Sequence, residues 1–198
     1  MSDAAYLPTP DTQAILFDCD GTLVDTMAVH REVWDRIFAR YGFAITDEWW
    51  DVWANVALLP FVREVIPQAT AQDADALNDE AVVLYLDALH RIEPLEHVIQ
   101  VARDHHGTVP LAVVTGGYRE VVLPTLDAAG ITGLFDVVVT ADDVVRSKPA
   151  PELYLLAMQR LTADPLRCLA YEDSDIGMAS ARDAGVGRIV DIRDWPTA

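Results

Sequence analysis

This 198-residue chain predicts an α/β fold: a doubly wound, mostly parallel, Rossmann-like core with a helical domain inserted after its first strand. Three observations carry that reading. Short apolar runs ending in polar residues alternate with amphipathic stretches, one long block shows helical patterns only, and the unusual polar residues fall where the apolar runs end.

The apolar runs are AILFD (14–18), LAVVT (111–115), DVVVT (136–140), CLAYED (168–173) and RIVDI (188–192). Their continuous hydrophobicity is that of parallel strands covered on both faces. Helical patterns lie between them at 94–105, 118–129, 151–161 and 176–184, with Gly107, Gly130 and Gly185 as stop signals after the first, second and fourth. From 26 to 92 the alternation breaks. At 30–41, Val33, Trp34, Ile37, Phe38 and Tyr41 form one stripe with Arg31, Asp35, Arg36 and Arg40 off it. Further helical patterns at 47–53, 58–66 and 73–90 complete about four helices. Residues 1–25 and 93–198 are therefore expected to form the α/β core, and 26–92 the helical insertion.

Composition narrows the function. With 52% hydrophobic residues the chain has enough apolar side chain for one core and a small accessory domain. Asp and Glu number 32 against 14 Lys and Arg, a formal charge of -18, so the electrostatic footprint for nucleic acid is missing. The acidity is spread over the chain: 26–92 carries 11 acidic and 5 basic residues, the rest 21 and 9. It describes a surface rather than a patch aimed at a partner. Lys148 is the one lysine among 13 arginines, and so the one candidate for chemistry that needs a primary amine. Two cysteines, Cys19 and Cys168, make no disulfide framework and suit a reducing compartment. No apolar run approaches the roughly 18 residues of a membrane span, and MSDAAYLPTPDT is no leader pattern. A cytoplasmic protein, without membrane or nucleic-acid partner and acting as a monomer or homodimer, is expected.

In open α/β sheets ligands bind beyond the carboxyl ends of the strands. Asp18 and Asp20 stand at the end of the first run; side chains alternate along a strand, so they face one side and Cys19 the other. The second run ends in Thr115-Gly116-Gly117, a hydroxyl followed by exposed backbone N–H groups at a helix start, which suits an anion. Ser147-Lys148-Pro149 follows the third, and the fourth ends in Glu172-Asp173-Ser174. Four carboxylates on one edge cannot all stay ionised without a cation. Mg²⁺ is the expected cofactor, held by carboxylates and by oxygens of a phosphate. The assembled chemistry is Mg²⁺-assisted phosphoryl transfer on a small phosphorylated metabolite.

FDCDGTLVDT, VVTGG, SKPAPE and AYEDSDIG resemble, in order and over nearly the whole chain, the four motifs of the haloacid dehalogenase superfamily, with the helical block where that family carries its cap domain. HREVWDRIFARYG, ADDVVRSKPAPELYLLAMQRL and the ending VDIR are similar to its β-phosphoglucomutase-like subgroup, and especially to small sugar phosphatases of the fructose-1-phosphate or 6-phosphogluconate type. The resemblance implies Asp18 as nucleophile, forming an aspartyl phosphate, and Asp20 as general acid and base. It implies Thr115, Gly116 and Lys148 as phosphate ligands, and Asp18, the Asp20 carbonyl, Asp173 and Glu172 around Mg²⁺. Gly21 and Thr22 would open a flexible segment leading to the cap, and His30 would be a cap-entry contact, with a polar residue at a helix start as its plain alternative.

The same resemblance sorts the activities. Phosphonate-cleaving relatives need a cap lysine, and 26–92 has none; dehalogenating relatives lack the second Asp, and Asp20 is present. A phosphatase is favoured over a β-phosphoglucomutase-like mutase, which must grip a second phosphate with basic cap residues. In addition, 55–60 is apolar where relatives carry a Gly-Ser-containing specificity loop. A non-catalytic binding protein is the remote third reading. Cys19 reads as a core thiol. Trp49, Trp50 and Trp53 read as packing or a dimer surface in preference to a sugar platform, and Asp175 as a helix N-cap.

Overall fold

The computed structural model describes residues 6–54 and 56–195. Residues 1–5 of the N-terminal segment and Asn55 of the apolar stretch lie outside these. The chain divides into two compact units, Met1–Asp25 with Glu93–Ala198, and Thr26–Ile92.

The first unit is built on a five-stranded parallel sheet: β1 (Ala14–Phe17), β4 (Leu111–Val114), β5 (Val137–Val139), β6 (Cys168–Glu172) and β7 (Arg188–Asp191), in the spatial order β5-β4-β1-β6-β7. Every residue of β1, β4 and β6 is buried, which is why those runs carry no polar alternation. Each strand stops one residue short of the apolar run that announced it. The last residue of the run, Asp18, Thr115 or Asp173 among them, lies just past the strand, at the carboxyl edge of the sheet; Asp18 N and Thr115 N still donate to the neighbouring strands.

Four helices follow the strands: α5 (Glu96–His105), α6 (Arg119–Ala128), α7 (Glu152–Leu161) and α8 (Asp175–Asp183). On one face Ala14, Leu16, Val114 and Ala170 pack with Leu153 and Tyr154 of α7 in a single buried cluster. α7 ends without a glycine; Thr162 takes the left-handed C-cap at φ 55°. Ser174, rather than Asp175, caps α8, its Oγ accepting from Gly177 N at 3.2 Å, because the helix begins at Asp175, one residue earlier than the pattern at 176–184 suggests. Asp175 instead pairs with Arg193.

The sequence reading missed one element. Val24–Asp25 (β2) and Glu93–Pro94 (β3) form a two-residue antiparallel pair, Val24 opposite Pro94, at the two ends of the insertion. Two residues show no periodicity, and Pro94 reads as a helix start when only its local context is considered.

The second unit holds α1 (Met27–Ala39), α2 (Asp47–Trp53), α3 (Leu58–Val65) and α4 (Ala71–Asp87). Thr70 starts α4 with a capping box closed by Asp73. Its core is aromatic: Trp34, Phe38 and Phe61 lie within 5.3 Å of one another, centroid to centroid. Trp49 adds its ring at 5.1 Å from Phe43 and 5.3 Å from Phe61, so it is part of this packing. No helix among the described residues is long and apolar enough to cross a membrane.

Leu16 is wholly buried in the middle of the sheet. Leu16→Ala is expected to lower the unfolding free energy by about 2–5 kcal/mol, the cost of the lost methyls and the void they leave. Urea unfolding measures it, and a loss under about 1 kcal/mol would contradict this packing.

Candidate active site

The chain runs from β1 outward through β4 and β5 on one side, then through β6 and β7 on the other. The connections therefore part at the carboxyl end of β1, opening a crevice there. Phe17 is paired with Tyr171 and with Val113, so the next residue, Asp18, comes level with Glu172 across the β1–β6 pair. Asp18 N donates to Tyr171 O at 3.0 Å. Alternation places Asp18 on the same face as Leu16, toward α7, while Cys19 turns away and is wholly buried.

Lys148 meets this pair. Its Nζ donates to Asp18 Oδ1 at 2.7 Å and to Glu172 Oε1 at 2.6 Å, and all three side chains are nearly closed to solvent. The loop carrying Lys148 is fixed on both sides. Ser180 Oγ on α8 donates to Ala150 O at 2.6 Å, and Arg146 is tied to Glu152 through its backbone N and its Nε.

Asp173 completes an acidic cluster: Asp18, Glu172 and Asp173 each offer an oxygen within 4.8 Å of the others. Gly21 lets it come close. A methyl group at Gly21 would lie 2.2 Å from Asp173 Oδ2, and the backbone there is left-handed at φ 76°. The surrounding turn, which the resemblance casts as a flexible segment, is closed by three amides, of Thr22, Leu23 and Val24, on Cys19 O, with Gly21 N on Val24 O at 2.8 Å. Thr22 is buried, and its Oγ1 reaches Asp173 Oδ1 at 3.5 Å.

Asp20 stands outside the three-carboxylate cluster. It faces the loop after β4, where a methyl group on Gly117 would lie 3.5 Å from Asp20 Oδ2 and 3.4 Å from Thr115 Oγ1. Thr115 is buried and accepts from Gly117 N at 3.0 Å, while Gly116 is exposed beside the Ser147 hydroxyl. The structure thus brings Asp18, Glu172, Asp173 and Lys148 together and sets Asp20, Thr115 and Gly116 at the adjoining loop. His30, in the helical unit, stacks on Tyr85 at 4.3 Å.

The electrostatics are set by crowding. Burial drives the Asp18 carboxyl well above its ordinary range, Lys148 opposes this, and Glu172 and Asp173 add to it. Burial and then Glu172 push Asp173 up to about 6. Burial disfavours the Lys148 ammonium, but Asp18 and Glu172 outweigh it and hold the proton on the amine. With all three carboxylates ionised, one ammonium would leave two negative charges unmatched. A divalent cation with a preference for oxygen fits that donor set. The Cys19 thiol is held far above its usual range by burial and by Asp20 and Asp18, so it is no nucleophile.

One residue escaped the sequence reading. Tyr154 of α7 is fully buried, donates its hydroxyl to Glu172 Oε1 at 2.5 Å and lies with its ring 5.6 Å from Lys148 Nζ. Its signal was a tyrosine on the apolar stripe of a helix, where a buried hydroxyl must find a partner.

A family model for haloacid dehalogenase-like hydrolases matches residues 12–185. The chain belongs to that family. Fructose-1-phosphate phosphatase YqaB of Escherichia coli is 36% identical to this hydrolase over 188 residues, 90% of this chain and 95% of that one. Validoxylamine A 7'-phosphate phosphatase of Streptomyces hygroscopicus subsp. limoneus is 32% identical over 181 residues, 86% and 81% of the two chains. A solved structure of CbbY from Rhodobacter sphaeroides in complex with phosphate has the same fold, with TM-score 0.79 and 23% identity over 91% of this chain and 94% of that one. With that family and those relatives, this hydrolase is an enzyme of the phosphoric monoester class.

Gly21→Ala in this hydrolase is expected to cost about 1–2 kcal/mol for the left-handed backbone. Displacing Asp173 should also cut turnover about a hundredfold. Urea unfolding and phosphate release check the two effects, and wild-type values in both would show that Asp173 does not need the open space at Gly21.

Proposed function

We propose that this chain is a Mg²⁺-dependent phosphatase of a small phosphorylated metabolite, a sugar phosphate, acting through an aspartyl-phosphate intermediate. The observation that carries the reading is the Asp18, Glu172 and Asp173 cluster with its single ammonium, Lys148, at the carboxyl edge of the sheet. The substrate class is supported by the two relatives named for phosphorylated carbohydrate-like compounds, fructose 1-phosphate and validoxylamine A 7'-phosphate.

In this reading Asp18 attacks phosphorus through a carboxylate oxygen as the bond to the sugar oxygen breaks, and Asp20 gives the leaving alkoxide its proton. Asp20, now ionised, takes a proton from water as that water attacks the phosphoryl group, releasing phosphate and free Asp18. Thr115 and Gly116 hold the phosphoryl oxygens. Lys148 offsets the negative charge that gathers on nucleophile and phosphate. Asp18, Asp173, the Asp20 carbonyl and Glu172, directly or through water, would hold Mg²⁺, which when bound supplies positive charge against the phosphate oxygens. The helical unit is the cap and supplies selectivity among esters.

Asp18→Asn is expected to reduce hydrolysis of p-nitrophenyl phosphate by at least about 10³-fold; turnover at the wild-type rate sinks the reading. A phosphate-release screen over sugar, polyol and nucleotide monophosphates should show its largest Mg²⁺-dependent rates on sugar phosphates. A profile led by nucleotides rejects the substrate class.

The raised Asp173 gives a pH test. From its ordinary 3.8 to about 6, the folded metal-free chain retains a proton that the unfolded chain releases. The stability it contributes is fully present below 3.8 and is lost as pH rises through about 6. A cation needs the ionised carboxylate, so the melting shift between Mg²⁺ and EDTA should grow from about pH 5 to about pH 7. In Asp173→Asn this growth should flatten. Differential scanning calorimetry at each pH measures it, and equal slopes in the two proteins would remove Asp173 from the metal site.

A further inference from the structure

We propose that Tyr154 is a positioning residue of the active site, fixing through Glu172 both the ammonium of Lys148 and the carboxylate oxygen left for the cation. The inference rests on the phosphatase reading and concerns a residue that it does not use. Glu172 is wholly buried, and its Oε1 takes two donors, Lys148 Nζ at 2.6 Å and Tyr154 Oη at 2.5 Å. Its Oε2 meets the Ser174 hydroxyl at a longer 3.4 Å. The two oxygens are thereby given separate work. Oε1 is anchored on α7 and on the ammonium, and Oε2 is the less engaged oxygen.

Lys148 depends on that anchor. Two of its three N–H groups go to Asp18 and Glu172, and the face of the Tyr154 ring stands 5.6 Å from Nζ. A phenylalanine would pack this buried position as well as a tyrosine; the hydroxyl adds only its bond to Glu172. Without it, Oε1 would rest on the ammonium alone. The carboxylate would then be free to rotate and to draw Lys148 away from Asp18. Hydrogen bonds to charged groups that orient ligands in this way are worth tenfold or more in metal affinity or rate.

Tyr154→Phe keeps the ring and removes the bond. With p-nitrophenyl phosphate it should lower kcat about tenfold and leave KM within about twofold. Titration with Mg²⁺ alone, by calorimetry without substrate, should show binding about tenfold weaker. Tyr171→Phe is the control: it removes another buried hydroxyl, bonded to Tyr6 O away from the site, and should lower stability while leaving both readouts unchanged. The double variant Tyr154→Phe with Glu172→Gln should lose no more than Glu172→Gln alone. Unchanged kcat and Mg²⁺ binding in Tyr154→Phe, or full additivity in the double variant, overturns the proposal. If the wild-type protein itself shows no Mg²⁺-dependent turnover, the phosphatase reading falls, while the calorimetric comparison still judges the tyrosine.

Discussion

The site depends on one ammonium shared between two carboxylates that the sheet forces together. Parallel pairing of β1 with β6 sets Asp18 level with Glu172, and neither can move without leaving a ladder that is buried throughout. Like charges so close repel strongly, and Lys148 makes the arrangement tolerable by donating to both. It does not complete the balance, because Asp173 joins the same cluster. In the proposed phosphatase, that residual charge is what would draw a cation to the site and, with the cation, an anionic ester. A chain with a formal charge of -18 can attract a phosphate only where positive charge is concentrated, and its one lysine is placed there.

The surroundings are built to hold that ammonium still. α8 contributes Ser180 to the loop on which Lys148 sits, and α7 contributes Tyr154 to the far side of Glu172. Gly21 and Gly177 matter for the opposite reason, as places where a side chain would collide with Asp173 and Glu172. Fixed dipoles and charges of this kind need no rearrangement when charge develops on a reacting group.

The core strands and most helices were legible in the sequence because each leaves a strong periodic trace: AILF, LAVV and CLAYE are unbroken apolar runs, and 47–53 coincides with α2. The acidic cluster and Lys148 were legible because charged residues at the ends of such runs have few structural reasons to be there. Tyr154 was not, because a tyrosine on an apolar helix stripe looks like core until its hydroxyl is seen to reach Glu172. The β2–β3 pair was not, since two residues carry no period. The separation of Asp20 from the other three carboxylates was also hidden: alternation holds along β1, but the chain leaves the strand after Phe17, and the tight turn over Cys19 redirects the side chains beyond it.

That short antiparallel pair has a consequence for how the protein can vary. Val24 and Pro94 face one another, so the core hands its chain over to residues 26–92 and receives it back at nearly the same place. The entropy of closing such an excursion rises only slowly with its length. With both ends clamped by Val24 and Pro94, the segment between them can be lengthened, shortened or exchanged at little cost to the sheet. The fold is in this sense a socket: one attachment point on the sheet unit, at which the inserted segment can be changed without rebuilding the strands or the acidic cluster at their ends.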